Sequence, residues 1–321
     1  MRFLIVGYSS IVVRRALSAL LQLPEIESVD IASRRPVQRS RFPENWSGRT
    51  YDDYREAISD SRADVVYVSL VNSLHEEWVD TALRSGKHVV VDKPAFLTLA
   101  AADKLLELAA KEGLCLAEAV VFPYHPQMAA LQRLLLAHGG ATRLIATFTF
   151  PPLANDNFRN HPELGGGSLY DLGPYAAAVS RLFFGDLPAR VGCNVVSRHS
   201  VTTVDTAFSV LASYSGGRSY IGHFGFDTEY QNRLTLIGPE IAITVDRVFT
   251  TTSDFQNHLD VSCSGQQWKV PVEVGDSFEH FFASVVGAIE KHCWSAFAED
   301  LWQDAQILGT MRAAALGEYR R

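Results

Sequence analysis

In Arg2-Phe3-Leu4-Ile5-Val6-Gly7-Tyr8-Ser9-Ser10-Ile11-Val12, an apolar, β-rich run ends on a glycine and two serines, after which apolar residues resume at helical spacing. That is the order strand, tight turn, helix. A dinucleotide-binding fold places G-x-G-x-x-G/A at this point. The first glycine makes the turn, the second lets backbone approach a pyrophosphate, and the third lets helix pack on strand. Only Gly7 is kept here; Ser9 and Val12 stand at the other two positions. The free amides and dipole of the following helix favour an anion, which makes Gly7, Ser9, Ser10 and Ile11 candidate cofactor contacts. A plain strand-to-helix turn capped by Ser9 or Ser10 is the alternative.

Outward from this turn, the first 120 residues alternate strand-like runs at 2–6, 28–32, 65–70, 88–91 and 114–121 with helical patterns at 12–23, 73–85 and 97–111, the last two closed by Gly86 and Gly113. Such alternation predicts a parallel sheet built from βαβ units, an α/β Rossmann domain. A helix at 126–138 and Gly139-Gly140 then precede a different grammar. A strand at 143–150 and one helix at 168–184 are followed by β-rich runs at 189–198, 206–214, 218–226, 233–237, 241–245, 259–264 and 267–272. Short polar turns join these runs, so the second half is expected to be an α+β domain with an open, mostly antiparallel sheet. Helices at 278–292 and 301–319 close the chain. The expected domains are 1–122 and 123–321, with the final helix free to pack back on the first.

The whole chain has 321 residues, of which 47% are hydrophobic and 20% charged, enough for two cores. Its 29 basic and 36 acidic residues give a net charge of -7 with no basic tail, which argues against nucleic acid as a partner. Cys115, Cys193, Cys263 and Cys293 form no CxxC pair, and no His, Asp or Glu set has ligand spacing, so neither a metal site nor a disulfide framework is expected. The first apolar run is too short for a signal core or membrane span, which points to a cytoplasmic protein without membrane attachment.

About 20 residues past the turn, an NAD enzyme places an acidic residue on the ribose hydroxyls, whereas an NADP enzyme places arginine by the 2′-phosphate. The chain reads Ser33-Arg34-Arg35 there. A hydroxyl and two guanidiniums suit a phosphate dianion, so NADP(H) is the expected cofactor. Asp30 as the ribose ligand is the alternative.

Further along come Asn72-Ser73-Leu74-His75, Ala82-Leu83-Arg84-Ser85-Gly86-Lys87-His88-Val89, Asp92-Lys93-Pro94 and Gly165-Gly166-Gly167-Ser168-Leu169-Tyr170-Asp171-Leu172-Gly173. In order and spacing these motifs resemble those of the Gfo/Idh/MocA oxidoreductases, the glucose-fructose oxidoreductase and inositol dehydrogenase family, over nearly the whole chain. Asp92 stands where that family carries glutamate before the lysine. The resemblance implies that Leu70, Asn72, His75, Asp92, Lys93 and Glu118 contact the cofactor. It also implies that Tyr175, where many members have histidine, is the general acid or base, with Lys93 as its electrostatic partner and Asp171 as a positioning group. A phenol can protonate the oxygen that gains charge as hydride reaches a ketone, and a nearby ammonium eases that transfer.

Within the family the chain is most similar to nucleotide-sugar 3-ketoreductases of deoxysugar biosynthesis, through Ile31-Ala32-Ser33-Arg34-Arg35, His125-Pro126-Gln127, Phe150-Pro151-Pro152 and Asp246-Arg247-Val248-Phe249. His125, Phe150, Arg159, Asp171, Tyr175, Tyr230, Asn232 and Arg247 are the substrate-binding candidates, since a diphosphate asks for arginine and a base for an aromatic face. The resemblance also implies a homodimer or homotetramer formed through the second domain's sheet. Two other readings stay open: an NADP-dependent dehydrogenase of a free sugar, polyol or dihydrodiol, and a non-catalytic dinucleotide-binding regulator.

Overall fold

The computed structural model describes residues 1–37, 42, 46 and 48–317. The predicted helix end at 318–319 lies outside them. The chain begins with β1 (Arg2–Val6), a π-helical turn (Val12–Ala16) running into α1 (Leu17–Gln22), β2 (Ser28–Ala32), β3 (Thr50–Tyr51), α2 (Tyr54–Asp60) and β4 (Val65–Val68). It continues with α3 (His75–Arg84), β5 (His88–Asp92), α4 (Leu99–Glu112) and β6 (Leu116–Ala119). The six strands form one sheet in the order β3-β2-β1-β4-β5-β6, and every pair is parallel. Strand order therefore reverses between β1 and β4, and in open α/β sheets ligands bind at the carboxyl ends beside such a reversal.

The helix ends follow from local chemistry. Thr98 caps α4 by accepting the Ala101 amide at 3.2 Å, and Gly113 ends it in the left-handed region at φ 66°. Gly86 does the same after α3, at φ 71°. β3 and α2 went unread in the sequence: β3 has two residues and α2 only seven. The Asp53-x-x-Glu56 spacing at the start of α2 is its one signal, since the Asp53 carboxylate accepts the Arg55 and Glu56 amides at 2.8 and 2.9 Å.

The second half contains α5 (Pro126–Leu136), β7 (Arg143–Thr149), α6 (Ser168–Asp171), α7 (Gly173–Phe184), β8 (Arg190–Arg198), β9 (Asp205–Ser213) and β10 (Ser219–Gly225). Then come β11 (Gln231–Ile237), β12 (Ile241–Asp246), β13 (His258–Cys263), β14 (Gln266–Pro271), α8 (Ser277–Glu290) and α9 (Ser295–Ala315). The eight strands form a sheet in the order β14-β13-β12-β11-β7-β10-β9-β8. It is antiparallel except at β7 and β10, which the connection through α6, α7, β8 and β9 brings side by side in parallel. The single helix expected over 168–184 is two, broken at Leu172. Pro174 has no amide proton to continue the first ladder, and α7 starts afresh at Gly173. α9 begins six residues earlier than its apolar periodicity suggested.

By its contacts the chain divides into two compact units: Met1–Ala119 with Phe278–Trp302, and Val120–Ser277 with the residues from Gln303 onward. In the first, Phe282 of α8 meets Phe3 and Tyr67 of the parallel sheet edge-on, with ring centroids 6.0 and 5.5 Å apart. In the second, the side chains of Arg181 on α7 and Asp304 on α9 are 11% and 5% exposed and pair through two bonds of 2.8 and 3.0 Å. Asp304→Ala would leave the buried guanidinium without this carboxylate and is expected to lower stability by about 3–5 kcal/mol, with Arg181→Met/Asp304→Leu close to the parent, as read from urea unfolding midpoints.

Candidate cofactor and catalytic sites

Strand register sets the first site. Val6 pairs with Ala32 and with Val68, and Val68 pairs with Val91. The next residue on each of these four strands is Ser33, Gly7, Ser69 and Asp92. They form a row along the carboxyl edge of the parallel sheet. Gly7 sits there at φ 105°, and a Cβ on it would lie 2.1 Å from the Ser69 carbonyl oxygen and 2.8 Å from Leu70 Cδ2. Only glycine fits, for its backbone conformation and for the close approach alike.

Ser9 is the N-cap of the following helix: its Oγ accepts the Val12 amide at 3.2 Å and lies 2.8 Å from Ser69 Oγ. Helical hydrogen bonding starts at Ser10, which is exposed; Ile11 is half-buried and Val12 fully buried. The ladder opens into a π-turn from Val12. Such bulges occur frequently at functional sites. Ser33 is buried, its Oγ donating to the Arg35 carbonyl at 2.8 Å and accepting the Arg35 amide at 3.1 Å. Arg34 and Arg35 are exposed, and the Arg34 guanidinium lies over the Tyr54 ring, 4.8 Å from its centroid. Asp30 lies two residues before the end of β2 and accepts the Arg49 amide at 2.7 Å, so the position beyond the strand falls to Ser33 through Arg35.

At the far end of the row, the Asp92 carboxylate accepts from the Tyr67 and Ser69 hydroxyls. Burial holds the Asp92 pKa above the usual carboxylate range, against the opposing pull of these hydroxyls and of His75 and Lys93. Burial and the Asp92 charge push the Tyr67 phenol well up. Lys93 follows directly, half-buried, with a cis bond to Pro94. Glu118 on β6 accepts the Ala95 amide at 2.8 Å and so fixes the turn beyond Lys93. Asn72 is buried at the start of a short 3-10 turn, and Leu70 is half-buried against Gly7.

His75 corrects a sequence expectation. It is fully buried, and its ring nitrogens face the carbonyls of Pro94 and Leu70 at 2.9 and 3.1 Å. Set between these two carbonyls, with one N–H to donate, it packs between the loops around Gly7 and Lys93 and has no exposed edge for a cofactor. Ser69 and Tyr67 were missed in the sequence. Their only signal was a polar residue at the carboxyl end of an otherwise apolar strand.

In the second unit, the glycine run is explained by backbone packing. A Cβ on Gly166 would meet the carbonyls of Arg159 and His161 at 2.5 and 2.7 Å, and one on Gly167 (φ 114°) would meet Asp205 Oδ1 at 2.5 Å. Asp205 in turn accepts from Ser168 Oγ and the Leu169 amide at 2.7 and 2.6 Å, fixing the start of α6. Asp171 and Arg159 form an ion pair at 2.7 Å. Tyr175 stands in the first turn of α7, half-buried, its ring 5.3, 5.6 and 6.0 Å from those of Phe148, Phe249 and Phe122. Phe150 extends this cluster through Phe148 and Phe226.

Two residues before Phe249, Arg247 adopts φ 54°, uncommon for a side chain of its size. Its exposed guanidinium lies between Tyr230 and Phe255, 5.5 and 5.2 Å from their centroids. Phe255 had not been singled out. Asn232 had been assigned to substrate, and this too is corrected: it is 4% exposed, donates to Tyr230 and Thr250 hydroxyls at 3.1 and 2.9 Å, and accepts the Phe249 amide at 3.0 Å. Its polar atoms are spent on holding the Arg247 turn. His125 is buried and caps α5, its Nδ1 accepting the Gln127 amide at 3.2 Å, which leaves the ring proton on Nε2.

Residues 1–120 match an oxidoreductase family with an NAD-binding Rossmann fold, and residues 137–244 match the GFO/IDH/MocA C-terminal domain. The chain belongs to the GFO/IDH/MocA oxidoreductase family. One relative in this family, a dTDP-3,4-didehydro-2,6-dideoxy-alpha-D-glucose 3-reductase from Actinomadura kijaniata, is 30% identical over 321 residues, covering 98% of this chain and 96% of that protein. A reductase of the same description from Streptomyces violaceoruber is 34% identical over 255 residues, 78% of this chain and 74% of that protein. The crystal structure of KijD10, a 3-ketoreductase from Actinomadura kijaniata in complex with NADP and TDP-benzene, shares 29% identity and a TM-score of 0.90 over 98% of both chains. Further KijD10 structures carry a tyrosine replaced by phenylalanine, or a lysine replaced by alanine or glutamate. As a family member the chain is an oxidoreductase with a nicotinamide-dinucleotide domain. Among the described residues, no helix is long and apolar enough to cross a membrane.

Burial lowers the pKa of His75 below its ordinary 6.5. The unfolded chain therefore binds this proton more readily than the folded one. The contribution is fully present above pH 6.5 and is lost as pH falls toward the folded value. His75→Gln is expected to be less stable than the parent at pH 8 and to lose less stability between pH 7 and 5, measured by urea unfolding at both values.

Proposed function

We propose that this protein uses NADPH to reduce the 3-keto group of a nucleotide-linked deoxysugar. The observation that carries the reading is Lys93 at the carboxyl end of β5, backed by half-buried Asp92 on the same sheet edge as the Gly7–Ser9 turn. That is where a dinucleotide lies in such a sheet. The residues fit the cofactor: Gly7 gives close backbone approach, the Ser10 and Ile11 amides at the helix start offer donors to the pyrophosphate, and Arg34 and Arg35 sit exposed where the 2′-phosphate belongs. KijD10, similar over nearly its whole length, was crystallised with NADP.

Bound NADPH supplies the hydride. The phenol of Tyr175 gives its proton to the carbonyl oxygen, the Lys93 ammonium supplies the cation on the cofactor edge, and Asp171, paired with Arg159, orients the loop and helix start around Tyr175. The aromatic cluster of Phe122, Phe148 and Phe249 fixes the phenol ring. KijD10 variants at a lysine and a tyrosine support this choice of pair. The Tyr230–Arg247–Phe255 stack offers a cation to a diphosphate and aromatic faces to a base, beside the turn that carries Phe249. Phe150 borders the aromatic cluster through Phe148, and His125 caps α5.

A second copy of the chain covers the open face of the larger sheet. Leu211, Ile221 and Ile145 are paired neighbours on β9, β10 and β7, 58%, 52% and 41% exposed. A soluble monomer seldom leaves such a row bare. Light scattering on a Leu211→Glu/Ile221→Glu variant is expected to show monomers where the parent is a dimer or tetramer.

NADPH oxidation at 340 nm should proceed with a dTDP-linked 3-keto-deoxysugar and far more slowly with the free sugar. Turnover with free sugars alone would reject the nucleotide-sugar reading. Tyr175→Phe is expected to lower kcat by ~100- to 10,000-fold, the usual worth of positioned proton transfer, with NADPH affinity unchanged in a fluorescence titration.

A further inference from the structure

We propose that Ser69 is a cofactor-positioning residue, tethering the Ser9 hydroxyl in one orientation at the helix start while holding the Asp92 carboxylate next to Lys93. The inference rests on the cofactor reading above and concerns how this chain tolerates a serine where the fold's second glycine would stand.

Hydrogen-bond directions along the chain of contacts are fixed by elimination. Asp92 accepts from both Tyr67 and Ser69, so the single Ser69 proton is committed to Asp92 Oδ2. The 2.8 Å contact between Ser69 and Ser9 must then be donated by Ser9, whose Oγ already accepts the Val12 amide. The order is Val12 N–H to Ser9, Ser9 to Ser69, Ser69 to Asp92. Every hydroxyl in it donates once and accepts once, so the Ser9 side chain has one favoured direction. It points toward Ser69 at the seam between β1 and β4 and is held on the Val12 amide. The backbone of Ser69 is also the wall that demands glycine at position 7, and Ser69 is only 1% exposed. One residue thereby sets the turn, the side chain that replaces a glycine, and the carboxylate next to Lys93.

Removing the Ser69 hydroxyl has two separable effects. It frees the Ser9 hydroxyl from its one orientation at the helix start, and it takes one of two hydroxyl partners from Asp92. Ser69→Ala should therefore raise the NADPH dissociation constant by ~3- to 10-fold and lower kcat by a similar factor, the range of one lost hydrogen bond. Ser9→Gly in the same chain should recover the affinity, because no side chain then needs tethering, but should not recover kcat, because Asp92 still lacks its partner. A role for Ser69 in packing alone predicts the opposite: a second glycine in the turn would further weaken the protein and rescue nothing.

The experiment is NADPH fluorescence titration and steady-state kinetics on the parent, Ser69→Ala, Ser9→Gly and the double variant, with thermal melts as a folding control. Ser69→Cys, a weaker donor of nearly the same shape, replaces Ser69→Ala should the latter not fold. Affinity restored in the double variant with kcat still low supports the tether. Parent-like binding in Ser69→Ala, or a double variant no tighter than Ser69→Ala, overturns it. A parent that does not bind NADPH removes the cofactor reading as well, and so differs from failure of the tether alone.

Discussion

The contact on which the first unit depends is the approach of Gly7 to the Ser69 carbonyl. No side chain fits between them, so β1 and β4 are drawn together where the strand order reverses. Everything at that edge is placed relative to this seam: Ser9 reaches across it, His75 closes the Leu70 loop against Pro94, and Asp92 is held by Tyr67 and Ser69. The site is thus a consequence of strand register. Four strands end in one row, and Ser33, Ser69 and Asp92 at its edge carry the polar chemistry beside Gly7.

The second unit solves a similar problem with a different device. Gly166 and Gly167 bring the backbone of the motif against the Arg159 and His161 carbonyls and against Asp205. Asp205 then starts α6, and Pro174 restarts the helix as α7, which puts Tyr175 in a first helical turn with its ring among phenylalanines. In both units, polar groups commit themselves to backbone so that one side chain can be held in a defined place. Lys93 and Tyr175 are those side chains.

Much of this was legible in the sequence because it has a period or a fixed spacing. The parallel alternation, the glycine stops at 86 and 113, the open antiparallel sheet and the family motifs all have one. β3 and α2 escaped because two and seven residues carry too little periodicity, although Asp53 and Glu56 marked the cap. The parallel contact of β7 with β10 depends on a long connection that no local pattern encodes. His75 and Asn232 were assigned to ligands because polar residues inside motifs invite that reading. The structure buries both, His75 between two backbone carbonyls and Asn232 between two hydroxyls and the Phe249 amide, since a buried polar atom must find a partner wherever the fold offers one. Ser69 escaped for the converse reason: it matters through Ser9 and Asp92, far away in sequence.

The central claim is that the carboxyl edge of the parallel sheet holds a dinucleotide with a 2′-phosphate, recognised at Ser33-Arg34-Arg35. Calorimetric titration of the parent and of Arg34→Ala/Arg35→Ala with NADPH and NADH tests it most directly. The account predicts NADPH at least ~10-fold tighter than NADH in the parent, the scale of charge-assisted bonds to one phosphate, and near-equal affinities in the variant. Equal or tighter binding of NADH by the parent would contradict it.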